Sequence, residues 1–167
     1  MIETTSKMAL RAAELRREFD HSFARPAGAA DAAKQDLLAI RMAGQHFALR
    51  LSDIAGLFID KKITPVPGAG QFLLGMAGFR GAIAPIYDLQ RFLGYSAGQA
   101  PRWLVVAAAK PVGFAFAAFD SQLRVAATAV TPQQQHDMEG LTSGVVNADG
   151  VLRPIVEISR VLKVIQT

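Results

Sequence analysis

The feature that most constrains this chain is an internal duplication. Gly81-Ala-Ile-Ala-Pro-Ile-Tyr-Asp-Leu-Gln-Arg-Phe-Leu93 aligns with Gly150-Val-Leu-Arg-Pro-Ile-Val-Glu-Ile-Ser-Arg-Val-Leu162 at a constant spacing of 69 residues. Pro85 meets Pro154, Ile86 meets Ile155, Asp88 meets Glu157 and Arg91 meets Arg160. Further upstream the spacing becomes 67, pairing Leu37 with Leu104, Phe47 with Phe114 and Asp53 with Asp120. One small insertion reconciles the two registers. The chain therefore reads as two copies of one unit, a hairpin followed by further strands and a short helix, over residues 36–98 and 99–167. About five short strands per copy predict two small tandem β-barrels. A copy of roughly 65 residues is marginal alone, so a shared interface is expected. Two copies are too few for a solenoid.

Local patterns fill in this outline. Met8, Ala12, Leu15, Phe19 and Phe23 recur at helical spacing, which predicts an amphipathic N-terminal helix. Arg25-Pro26 ends it, and residues 1–35 form this helix plus a small-residue linker. From Leu37 the period becomes two. A hairpin turns at Ala43-Gly44-Gln45, and Phe47, Leu49 and Leu51 follow. The prolines of Ile63-Thr64-Pro65-Val66-Pro67 hold that segment extended. Gly75, Gly78 and Gly81 suggest a flexible loop with Arg80 at its tip. Gly81–Ile86, Leu104–Ala109, Phe114–Phe119, Val125–Val130, Val145–Val146 and Val151–Ile155 read as strands. Asp88–Leu93 and Ile158–Ile165 read as short helices, the first stopped by Gly94.

Composition removes several classes of function. Among 167 residues there is no cysteine, so disulfide frameworks, thiolate metal sites and cysteine nucleophiles are excluded. The net charge of +4 is spread out, and no basic run exceeds the pairs Arg16-Arg17 and Lys61-Lys62. That is a mildly basic surface, not a phosphate-tracking stripe. A small β-barrel nucleic-acid-binding module is the alternative reading. Its signature would be aromatics interleaved with Lys/Arg on exposed strands. The apolar stretch Trp103–Phe119 carries Lys110 and Pro111 at its centre, so two strands explain it better than a membrane span. Residues 1–23 contain no signal-like apolar region, which predicts a soluble, cytoplasmic protein without direct membrane insertion.

Catalytic constellations are thin. His21, His46 and His136 lie far apart, and none has the spacing of a metal site, so neither metal nor cofactor is expected. Gly68-Ala-Gly70-Gln-Phe-Leu73 has Leu73 where a dinucleotide fingerprint needs its third glycine. No Gly-Lys-Ser/Thr occurs. Asn147-Ala-Asp149-Gly150 reads as a turn, and no serine has a Gly-x-Ser-x-Gly setting. Asp53 and Asp120 occupy equivalent repeat positions and are the remaining carboxylate pair, more simply read as caps. The expectation is that the protein is not an enzyme. For Arg80 two readings stand together: recognition of a partner by a planar, permanently charged donor, or an intramolecular ion pair with Asp88 or Asp53.

Binding remains, and the densest cluster of features points to a family. Phe47-Ala-Leu-Arg-Leu-Ser-Asp-Ile54, Ile63-Thr-Pro-Val-Pro67 and Gly75…Phe79-Arg80-Gly81…Ile83…Pro85-Ile86…Asp88-Leu89 resemble the CheW-like adaptor domain. The second half, Val112-Gly-Phe-Ala-Phe…Asp120 and Gly140-Leu…Leu152-Arg-Pro-Ile-Val-Glu-Ile158, is similar to the family's C-terminal region. The resemblance spans about residues 36–165, within a domain placed at 36–167. It implies two SH3-like five-stranded barrels with an aliphatic groove between them. It also implies a non-catalytic scaffold coupling the cytoplasmic tips of chemoreceptors to a CheA-type histidine kinase, in chemotaxis or pilus-type motility. Carried over by position, Ile54, Gly75, Arg80 and Gly81 would lie on or near the receptor-binding surface, supported by Pro85, Asp88 and Leu89. Two positions depart from the family pattern: Gly56 stands where a Glu is frequent, and Gly78 where an Asn is usual.

Overall fold

The computed structural model describes residues 34–96, 98–133 and 140–166. The chain divides into two units, Met1–Lys34 and Gln35–Thr167, and the second carries the β fold. The expected N-terminal helix and linker lie outside the described residues.

The first repeat opens with a hairpin of β1 (Lys34–Met42) and β2 (Gln45–Arg50), paired as Leu38 with Leu49 and Ile40 with Phe47. Ala43 and Gly44 turn it with φ of 50° and 74°, as a two-residue loop matching strand twist requires. A 3-10 turn at Leu51–Asp53 leads into β3 (Ile54–Ile59), then β4 (Leu73–Phe79) and β5 (Ala82–Asp88). The short helix α1 (Leu89–Phe92) follows; the Asp88 carboxylate accepts the Gln90 N–H at its start, and Gly94 (φ 79°) lies just past its end. The second repeat gives β6 (Trp103–Ala107), β7 (Gly113–Phe116), β8 (Ala118–Ala126), β9 (Val130–Pro132), β10 (Thr142–Ala148), β11 (Val151–Val156) and the helix α2 (Ile158–Ile165).

The strands form two sheets, ordered β8-β1-β2-β11-β10-β9 and β3-β6-β7-β5-β4. The fold is mainly β, as the repeat pattern implies, but the sheets do not follow the halves of the sequence. Each sheet takes its central hairpin from one repeat and its flanking strands from the other. The exchange is made through parallel pairs, β5 with β7 and β11 with β2. Overlaying the repeats superposes the two strand orders. The sixth strand of the first sheet, β9, corresponds in the second to a single bridge between Thr64 and Met76 beside β4. One sheet therefore has six strands rather than the expected five.

The exchange follows from hydrophobic patterning. Strands apolar on both faces need cover on both sides. In β1 and β2, Leu37, Ala39 and Ala48 pack with Leu123, Val146 and Ile155 inside one barrel. Their neighbours Leu38, Ile40, Phe47 and Leu49 face a larger core shared with Val105, Phe114, Phe116 and both helices. The β6–β7 hairpin does the same, with Leu104 and Ala115 turned towards Ala77, Phe79, Ala84 and Ile86. The seam holds the largest core because both hairpins bury their bulkier faces there.

Four sequence expectations change. Phe114–Phe119 is divided between two strands, since β7 stops at Phe116 and β8 starts at Ala118. Ile54–Ile59 is a strand that its weak alternation concealed. Val125–Val130 is not one strand: it holds the end of β8, a 3-10 turn at Ala127–Ala129 and the start of β9. The glycine-rich segment from Gly75 is strand β4, and only Arg80 and Gly81 form a turn. Gly75 (φ 150°) sits at a bulge where a Cβ would collide with the carbonyl of Thr64. The glycine thus marks close backbone approach within the fold. Gly144, its counterpart, has the carbonyl oxygen of Thr131 2.7 Å from its Cβ position.

Candidate functional site

The β4–β5 hairpin presents Arg80 at its tip. Phe79 pairs with Ala82, leaving Arg80 (φ 45°) and Gly81 (φ 83°) to turn the chain. A positive φ at arginine is uncommon, and the glycine beside it makes the two-residue turn accessible. Arg80 and Gly81 are both exposed. Neither anticipated internal partner reaches Arg80. Asp88 is 2% exposed, caps α1 and lies 3.4 Å from Arg91 Nε. The Asp53 carboxylate accepts from the Ser52 hydroxyl at 3.3 Å. Among the described residues Arg80 forms no side-chain hydrogen bond or ion pair, so its five donors face solvent.

Only part of the expected set gathers at this tip. The start of β3 comes beside it: Ala55 and Gly56, next to Ile54, line one concavity of about 180 Å³ with Phe58, Phe79, Arg80 and Pro111. Ile54 itself is half-buried against the central core. Gly75 is buried within β4 and acts through the shape of that strand. Pro85 lies one residue before β5 begins its parallel pairing with β7 at Ile86, and Pro154 holds the same place before Ile155 meets β2. A proline fits there because its missing N–H is not yet needed by the new neighbour. Leu89 is fully buried in the central core. Pro85, Asp88 and Leu89 thus build the hairpin's base rather than its surface.

Two neighbouring features were not visible in the sequence. A wider concavity of about 740 Å³ runs along β4, with Lys61 and Lys62 at its edge and the exposed side chains of Ile59 and Ile83. Gln90, 1% exposed, accepts the Ala43 N–H at 3.1 Å and so ties α1 to the β1–β2 turn. Nothing in local spacing announces that contact between residues 47 apart.

The repeat is kept in hydrogen bonding as well as in strand order. Arg91 donates to the carbonyl of Gln71, and Arg160 to those of Gly140 and Thr142. Asp88 N–H donates to Phe72 and Glu157 N–H to Leu141, each at 2.8 Å. The carboxylate pair considered for catalysis does not form. Asp120 is engaged by Arg41 at 2.7 Å, with His46 Nδ1 3.6 Å away, beside the turn of the β1–β2 hairpin, whereas Asp53 lies in the 3-10 turn that follows the other end of β2. Among the described residues no group of three His, Asp or Glu side chains is arranged to hold a metal. Phe47, Phe79, Phe92, Phe114 and Phe116 are core residues, not the exposed stacking surface a nucleic-acid binder needs. No helix among the described residues is long and apolar enough to cross a membrane.

The profile of the CheW-like domain matches residues 36–166. The chain belongs to the CheW-like family. Chemotaxis protein CheW of Thermotoga maritima is 30% identical over 139 residues, covering 80% of this chain and 92% of that protein. The protein of the same name from Rhizobium meliloti is 28% identical over 134 residues, covering 76% and 86%. The crystal structure of the scaffolding protein TtCheW from Thermoanaerobacter tengcongensis has the same fold. Its TM-score is 0.66 at 18% identity, over 74% of this chain and 88% of that one.

Proposed function

We propose that this CheW-like chain is a non-catalytic chemosensory adaptor that couples the cytoplasmic tips of chemoreceptors to a CheA-type histidine kinase. Family membership supports the scaffold role. The observation that carries the receptor assignment is Arg80, an exposed guanidinium at the tip of a hairpin with no side-chain partner among the described residues. The apolar core behind the hairpin fixes its position, so the donor is preorganised and little conformational entropy is lost on docking. Receptor tips are helical hairpins. A helix laid on the apolar surface near Ile54 and Ala55, with a carboxylate met by Arg80, follows the usual physics of helix-in-groove recognition. Gly81 keeps the turn in its conformation, and Gly56 removes a side chain from the same rim, which bears on which receptor is accepted. The kinase contact is assigned to a separate face of the barrels, in a cytoplasmic complex serving flagellar or pilus-type motility.

Titration calorimetry with a purified receptor-tip fragment tests this reading. Arg80→Ala should weaken binding about tenfold or more, and Arg80→Asp further, since removing one charge-assisted contact costs about 1.5–3 kcal/mol. Circular dichroism should show both variants folded, because Arg80 supports nothing inside the barrel. Unchanged receptor affinity in folded variants would remove Arg80 from the site.

A further inference from the structure

The concavity beneath Arg80 lies at a position that the two repeats fill differently. In the first sheet Arg153 stands opposite Val146, buried to 6% exposure, with Nη1 donating to the carbonyls of Ala148 and Val151. Sixty-nine residues earlier the equivalent pair is Ala84 opposite Ala77, both small and buried. An arginine thus occupies the interior position in one barrel where the other has a methyl group. The space in the second barrel, about 180 Å³, is open to solvent and lined by Phe58, Phe79, Ala82, Ala84, Val106 and Pro111.

These walls are almost wholly apolar, and they determine what can enter. Phe58 and Phe79 lie with centroids 4.9 Å apart, their planes tilted by 56°. Lys61 Nζ caps both rings, 5.6 Å and 5.0 Å from their centroids. Gly56 contributes the room: a Cβ there would lie 2.8 Å from the Phe58 ring. Water in such a pocket finds few hydrogen-bond partners, so its displacement by an apolar group is favourable. An apolar cavity of this size holds a six-membered ring or a branched chain of similar volume. Arg80 lies at the rim with no ion-pair partner among the described residues, while Lys61 sits over the Phe58 and Phe79 rings outside the lining. A cationic guest is therefore opposed, while a carboxylate can take two parallel hydrogen bonds from the guanidinium.

We infer that the open mouth of this barrel is a binding site for a small carboxylic acid bearing one compact aromatic or branched aliphatic group, with its carboxylate on Arg80. This goes beyond the adaptor role and does not depend on it. The two are linked through Arg80: a bound acid occupies the same guanidinium that receptor docking would use, so such a ligand competes with a partner there.

The test uses the full chain alone, with phenylacetate and 4-methylpentanoate as probes, followed by two-dimensional NMR. The expected result is saturable shifts confined to Phe79–Ala84 and the Val106 methyls, with affinity in roughly the millimolar range suited to ligands of this size. Phenylacetamide, and phenylacetate with Arg80→Gln, should each bind about tenfold more weakly, which isolates the charge. Ala84→Arg, copying the sister barrel, should abolish the shifts. Ala82→Phe fills the same space from an exposed position and should do likewise without disturbing the core. Absence of saturable shifts with both acids would overturn the inference. So would equal affinity for phenylacetate and its amide, or full retention of binding in the folded Ala82→Phe variant. Receptor calorimetry is a separate measurement, so failure of one assignment leaves the other tested on its own.

Discussion

At Gly75 and Gly144 the strand bends, and a threonine carbonyl comes close to the position a Cβ would take. The two glycines are 69 residues apart and the two threonines 67, so the same close approach recurs in both barrels. Their backbones differ: Gly75 has a φ of 150°, whereas Gly144 does not take a positive φ. Gly75→Ala should therefore lower unfolding stability by about 2 kcal/mol or more, from steric conflict and an unfavourable φ together. Gly144→Ala should cost less, and urea denaturation of both variants measures the difference. Single residues show where sequence reading stops. The turn at Arg80 and Gly81 was legible because turn chemistry is local, although Gly75 and Gly78, read with it as a loop, belong to β4. The internal burden on Gly75 was not, because it depends on a carbonyl eleven positions earlier in the sequence. That Arg80 has no partner among the described residues was equally hidden, since the anticipated Asp88 already serves α1 and Arg91.

Hairpins that are apolar on both faces account for the architecture at the level of elements. Phe114 is fully buried on the seam side of β7. Phe114→Ala should cost about 3–5 kcal/mol, the range for deleting a core aromatic, read again by urea denaturation. An exposed link at the end of β3 behaves differently. Asp60 receives Arg102 Nε at 2.9 Å and Nη2 at 2.7 Å. Hydrogen bonding from Arg102 holds the Asp60 carboxyl below its ordinary range, opposed by some desolvation and aided by the charge of Arg102. Because the folded value is the lower one, the link supports the fold above the ordinary carboxylate range. Its support is lost as pH falls through the folded value. Asp60→Asn should therefore lower neutral-pH stability only slightly, since both groups are exposed, and should make no difference in acid below the folded value, as urea denaturation at the two pH values reads. The hairpins, both helices and the repeated Pro-Ile segments were legible from periodicity. Strand β3 was not: Ala55 and Gly56 interrupt its alternation, and only pairing with β6 defines it.

Across the whole molecule, duplication and strand exchange combine into one scaffold. Sequence shows two copies, which on their own suggest two adjacent barrels; the long-range pairs β5 with β7 and β2 with β11 are what interlock them. Neither half then has a complete sheet of its own. Fragments 36–98 and 99–167 should each lack a cooperative thermal transition when made separately, and should gain one when mixed. Separate cooperative folding of either fragment would contradict the interlocked arrangement. Such a scaffold fixes the Arg80 tip relative to the remaining barrel surface, which is what an adaptor with two partners requires. The most direct test of that role is co-sedimentation of membranes carrying a chemoreceptor with its CheA-type kinase, with and without this chain. The account predicts that the kinase sediments strongly only when the chain is present, and that Arg80→Asp removes most of that gain. Kinase recovery that is the same without the chain, or the same with Arg80→Asp, would contradict it.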